Sequence, residues 1–199
     1  MAVSSSTDLL TPEAHPNAVA VLWHAVASVH AELAVHLRAL HEASDLDTYR
    51  SILIILEEFQ RPAEAAICAM DWSAVHFDPH AMCRGDFLRA DLSALGVTSA
   101  PAPRDSCPLT PIDCLPHAVG LAFVLLGSTM GGAKMAQRIA ITLGAPTSFF
   151  SNPGQVNWQA FGAMVERALP DATSQQQAAD AAVDTMRRLV AWTMTRLAR

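Results

Sequence analysis

Apolar residues recur at spacings of three and four along most of the chain, and no segment alternates cleanly with a period of two. That rhythm belongs to helices with one buried face, because side chains three and four apart stack on the same side of a 3.6-residue helix. The pattern predicts an all-α molecule. A first helix is expected from about Pro16 to Glu42, with Pro16 in the tolerated first turn and Ser44 and Asp45 marking the exit. Asp47 is placed to cap a second helix, TYRSILIILEEFQRPAEAAICAMD, which Pro62 should kink or split because proline removes an amide and crowds the preceding turn. A third, weaker helix runs near Met82 to Leu95 and stops at Gly96, and the proline-rich VTSAPAPRDSCPLTP follows as a loop. A long glycine-bearing helix, containing LAFVLLGSTMGGAKMAQRIA, then ends near Leu143 and Gly144. Beyond APTSFFSNPGQ, a short helix is expected around Trp158 to Ala168, and a last one starts at the capping pattern Ser174 to Gln177 and runs almost to Arg199. Six or so helices of unequal length, without an internal repeat, predict an irregular multi-helix bundle rather than a symmetric four-helix one.

Composition narrows what such a bundle does. The 199 residues fit a single domain, with residues 1 to 15 as a frayed N-terminal lead. A net charge of -6, and no cluster of lysines or arginines with interleaved aromatics, remove the electrostatic basis for binding nucleic acid. Cys68, Cys83, Cys107 and Cys114 form neither a CxxC pair nor a zinc-finger spacing, which fits the reduced thiols of a cytoplasm. The N-terminus lacks the basic and apolar regions of a secretory signal. Cys114 to Ala133 is long and uncharged enough to span a bilayer, but it contains Pro116, His117, Ser128 and Thr129 and continues into Lys134, Gln137 and Arg138. A buried central helix, with no membrane partner, is the expectation. The loop HFDPH, with His76 and His80 around Asp78 and Pro79, reads as a plain surface turn.

Two features of the helices point to chemistry. The first helix carries His24, His30, His36 and His41. At about 100° per residue, Val19 and Leu37 lie about 20° to one side of His30, Trp23 about 20° to the other, and Val26 and Leu33 within about 60°. That arithmetic puts His30 in the middle of an apolar stripe, where its imidazole needs a partner: a side chain, a carbonyl, a water or a metal. The second feature is GSTMGG, with Gly127, Gly131 and Gly132 inside an otherwise strong helix, each costing about 1 kcal/mol relative to alanine. Gly127 and Gly131 are spaced to let another helix approach closely. Alternatively, the three glycines expose a strip of bare backbone against which a flat, rigid ligand can lie. Histidine on one wall and bare backbone on the other make the cross-section of a heme pocket.

GSTMGG within LAFVLLGSTMGGAKMA resembles the distal helix of heme oxygenases, especially the bacterial biliverdin-forming enzymes associated with phytochromes. His30 and Tyr49, nineteen residues apart, match the spacing of that family's proximal histidine and following tyrosine, and RADLSALG, PIDCLPHAVGLAF and NWQAF are further parallels. The resemblance covers about residues 18 to 195 and implies a heme oxygenase-like bundle with heme as substrate and cofactor together. It implies that His30 ligates the iron, that Ser128 and Gly127 position a distal water, and that Gly131 and Gly132 touch the heme face. Val26 and Phe123 would line the site, and Arg187 and Arg188 would anchor propionates. The implied reaction opens heme to biliverdin, carbon monoxide and ferrous iron, with electrons from a ferredoxin or flavoprotein reductase and a bacteriophytochrome as recipient of the bilin. The chain departs from the family pattern at Trp23, Val26, Phe123, Leu126 and Ala133, where polar or basic residues are usual. Those departures support an alternative expectation, a relative of the same fold that binds heme or bilin without oxidising it. A di-iron oxidase on a similar bundle is the weaker alternative, because no ExxH occurs.

Overall fold

A computed structural model describes residues 17–36, 45–97 and 107–197. The described residues form α1 (Ala18–His36), α2 (Leu46–Ala69), α3 (Gly85–Ala94), α4 (Leu115–Gly127), α5 (Gly132–Leu143), α6 (Ser148–Ser151), α7 (Trp158–Ala168) and α8 (Ala172–Leu197). Two 3-10 turns, Ser73–Val75 and Pro79–Met82, join α2 to α3, and no strand occurs among the described residues. The protein is all-α. The predicted extension of the first helix to Glu42 lies outside the described residues.

Capping residues account for most of the boundaries and correct two of them. Asp45, not Asp47, caps α2, accepting the Thr48 amide at 2.7 Å, while Asp47 sits inside the first turn. Asp171, not Ser174, caps α8, accepting the Ser174 amide at 2.8 Å. The end of α3 is at Gly96 as predicted: Gly96 has φ +76°, a conformation that suits glycine.

Pro62 neither splits nor ends α2. A proline leaves the carbonyl four residues earlier without its helical donor, and the Cys107 amide supplies that bond to the Glu58 carbonyl at 3.2 Å. The glycine-bearing segment, by contrast, is two helices. Between α4 and α5 the chain tightens into turns closed by Thr129 N to Leu126 O (2.9 Å), Met130 N to Gly127 O (3.1 Å) and Gly132 N to Thr129 O (3.1 Å). The Ser128 and Thr129 hydroxyls donate to the carbonyls of Leu125 and Leu126 at 2.6 and 2.7 Å, competing with the helical ladder where three glycines already weaken it.

The long helix α8 carries α1 and α4 along its length. The α4–α8 contact is a backbone approach at Gly120, where a Cβ would stand 2.4 Å from the Ala178 carbonyl and 2.9 Å from the Ala181 Cβ and the Ala182 amide. This core also takes in α7 and the second half of α2. A smaller core gathers Tyr49, Ile52 and Leu53 of α2, Leu88 and Leu92 of α3, Met135 and Ile139 of α5, and Phe149 of α6. Ala18–Val35 and Leu115–Leu143 are long and apolar enough to cross a membrane. The second is mostly buried and broken at residues 128–131, as suits a central core helix.

Candidate functional site

The turn between α4 and α5 sits on the seam between the two cores and is held from beneath by one buried cation. Arg84, 2% exposed, donates through Nη2 to Ser128 Oγ at 2.5 Å and through Nη1 to the Phe149 carbonyl at 3.4 Å. Its guanidinium also lies 4.5 Å from the Phe149 ring centroid, a cation–π contact. Burial lowers the Arg84 pKa to about 10, with Glu64 acting in the opposite direction. At neutral pH the group is still a cation, and its charge is directed at the Ser128 hydroxyl.

Two carboxylates place that arginine. Glu64 on α2 accepts the backbone amides of Arg84 (2.6 Å) and Gly85 (3.0 Å), capping α3 from a different helix. Asp91, 1% exposed, accepts the amides of Ser148 and Phe149 at 2.8 and 2.9 Å and so fixes α6. Tyr49 donates its hydroxyl to the Pro146 carbonyl at 2.9 Å just before α6, and burial raises its pKa. Through α6 these contacts reach the glycines: a Cβ on Gly132 would stand 2.5 Å from the Phe150 carbonyl. Gly132 is therefore a packing glycine, where backbone meets backbone.

Gly127 and Gly131 are different. A Cβ added to either would meet nothing within 4 Å among the described residues, so no described helix packs closely here and the close-packing alternative finds no support at these two positions. Bare backbone faces open space on both, with Met130 between them 64% exposed. Ser128 already donates to Leu125 and accepts from Arg84, so its second lone pair is available to a water donor.

On α1 the buried positions are Ala18, Leu22, Val26, Val29 and Leu33. Their common direction lies about 80° from His30 at 100° per residue. His30 is consequently exposed, not at the centre of the buried stripe, and its imidazole has no hydrogen-bond or ion-pair partner among the described residues. The surface beside it stays apolar: Ala27, Ala31, Ala34 and Val35 are all exposed, Val35 by 58%. Val26 and Phe123, at 0% and 1% exposure, are core residues.

Trp23, two turns before His30, packs edge-to-face on Phe123, one turn before Gly127, with centroids 4.9 Å apart. Trp158 joins both, at 5.5 Å from Trp23 and 5.9 Å from Phe123. The aromatic cluster thus bridges α1 and α4, while no contact joins His30 to the glycine turn among the described residues. Arg188 is committed to Asp184 at 2.8 Å, whereas Arg187 is exposed. A cavity of about 460 Å³ between α1 and α8, lined by Ala20, Val21, His24, Ala25, Gln176 and Ala179, includes neither His30 nor the glycines.

Sequence reasoning missed Arg84, Glu64 and Asp91. Arg84 meets Ser128 across 44 residues and Phe149 across 65, so no local spacing announces it. In comparison with known proteins, no family model matches this chain and no curated protein is significantly similar to it.

Proposed function

We propose that the chain binds heme against the open backbone of Gly127 and Gly131, with His30 as the iron ligand, and opens it to biliverdin, carbon monoxide and ferrous iron. One observation carries the reading: a helix is broken at two glycines that no part of the described chain covers, and a buried arginine clamps the break. Open glycine backbone suits a flat ring that must approach closely, and an exposed, unpartnered imidazole beside apolar residues suits an iron ligand. Heme supplies the iron and the ring that reacts.

The chain's own residues have narrower tasks in this reading. His30 holds the iron. Ser128, with its proton directed inward to Leu125, accepts from a distal water and keeps it at the turn. Arg84 fixes the Ser128 hydroxyl and adds positive potential beneath the site. Exposed Arg187 remains the candidate for a propionate, while Arg188 would have to leave Asp184. Electrons come from a cytoplasmic ferredoxin or flavoprotein reductase, and a bacteriophytochrome is the proposed recipient of the bilin.

The contact of Trp23 with Phe123 favours a second reading, a heme or bilin binder without turnover. Those positions carry polar side chains in the family the motif resembles, and here they seal against each other. Hemin titration followed by ascorbate or a ferredoxin system separates the readings. Wild-type protein gives a Soret band and then a red biliverdin band. His30→Ala alters the Soret band through loss of the iron ligand, and Gly131→Leu blocks binding by filling the open surface. Binding without conversion selects the binder. A His30→Ala spectrum identical to wild type rules out His30 as ligand, and no binding at all ends both readings.

A further inference from the structure

Cys68 lies in the last turn of α2, and His80 and Cys83 belong to the turn that leads into α3. Their side chains converge: Cys68 Sγ lies 3.5 Å from His80 Nδ1 and 3.6 Å from Cys83 Sγ, and the three ligand atoms all fall within 4.8 Å of one another. A tetrahedral zinc ion with Zn–S about 2.3 Å and Zn–N about 2.0–2.1 Å has a sulfur–sulfur edge of about 3.8 Å and a sulfur–nitrogen edge of about 3.6 Å. The two separations match those edges. They are far from a disulfide, whose sulfurs stand about 2.05 Å apart.

The ligands are also built into place. Residues 80 and 83 have the x2 spacing that a single 3-10 turn brings to one side. That turn is capped by Asp78, which accepts the His80 amide at 2.9 Å, and it is tied outward by Gln155 N to Ala81 O at 3.0 Å. Glu64, one helical turn before Cys68 on α2, holds the Arg84 and Gly85 amides immediately after Cys83. Cys68 and Glu64 therefore grip the two sides of the same short loop.

We propose that Cys68, His80 and Cys83 bind one zinc ion, with solvent in the fourth position. Binding replaces the two thiol protons, released to water, by two Zn–S bonds, and no electrons are transferred. Exposed His80 and half-buried cysteines leave the ion reachable from solvent. The zinc clamp fixes the loop whose next residue, Arg84, reaches Ser128.

The test uses the full chain, reduced with a phosphine. Zn²⁺ competition against a chromophoric chelator gives one ion per chain. Co²⁺ gives a thiolate charge-transfer band with the intense visible bands of a tetrahedral site. Cys68→Ser and Cys83→Ser each weaken binding beyond the 10–100-fold that losing an outer partner costs, while Cys114→Ser leaves it unchanged. Because a cysteine variant can fail by misfolding, wild-type protein is also alkylated with and without Zn²⁺. Protection confined to Cys68 and Cys83, with Cys114 still reactive, supports the site. Weak octahedral cobalt bands, undiminished binding by the Cys68→Ser/Cys83→Ser double variant, a lack of selective protection, or a Cys68–Cys83 disulfide with no zinc uptake after reduction overturns it.

Discussion

Alanine at Gly120 and alanine at Gly127 should shift stability in opposite directions, although both glycines lie in the same helix. At either site the methyl group removes the conformational penalty of glycine, worth up to about 1 kcal/mol in a helix interior and less at its last residue. At Gly127 the new methyl meets nothing within 4 Å among the described residues, so the variant keeps that gain. At Gly120 it would stand 2.4 Å from the Ala178 carbonyl oxygen, which is backbone and cannot rotate away. Relief requires α4 and α8 to separate by about 1 Å along the central seam of the larger core. Overpacking of this kind costs about 1–3 kcal/mol or more, and the neighbouring contacts loosen with it. The expected net effect is a loss of about 1–2 kcal/mol for Gly120→Ala, equivalent to about 2–8 °C in Tm for a chain of this size, against a rise of a few tenths for Gly127→Ala. Urea unfolding followed by far-ultraviolet circular dichroism measures both. A Gly120→Ala variant as stable as wild type would mean that the helices are not in backbone contact.

Asp91→Ala leaves the Ser148 and Phe149 amides without their acceptor in a buried setting, at a cost of about 2 kcal/mol or more; the same unfolding measurement checks it, and Asp91→Asn recovers part of the loss. The Asp171 carboxyl is held below its ordinary 3.8 by the Ser174 amide. Its stabilising contribution is therefore full above pH 3.8 and lost as pH falls through the lower folded value. Asp171→Asn, which keeps the cap but cannot titrate, should show a flatter loss of stability in that acid range, and parallel curves for the two proteins would refute the assignment.

The fold class and several elements were legible because their signals are local. Trp158–Ala168 emerges at its predicted bounds, with Asn157 accepting the Ala160 amide, and α3 stops where Gly96 takes a positive φ. His30 was placed wrongly because α1 is apolar on several sides: Val19, Val21, Trp23 and Ala25 are only partly buried, so periodicity alone did not select the face that α8 covers. The break in the glycine helix depended on Ser128 and Thr129 capturing carbonyls, which a helix-propensity estimate does not count. Arg84 with Ser128, and Cys68 with His80 and Cys83, meet through tertiary packing, so each partner looked unremarkable in its own segment.

The two hydrophobic cores share α2 and meet across the Arg84 contact. The smaller one holds fewer apolar side chains and includes α6, a single helical turn whose amides rest on one carboxylate. Such a unit opens at a lower free energy than the seam between α4 and α8. The amides of α6 and of the helices around it should accordingly exchange with solvent faster than those along the seam between α4 and α8, and the turn of Gly127 to Gly131 lies where the two cores meet.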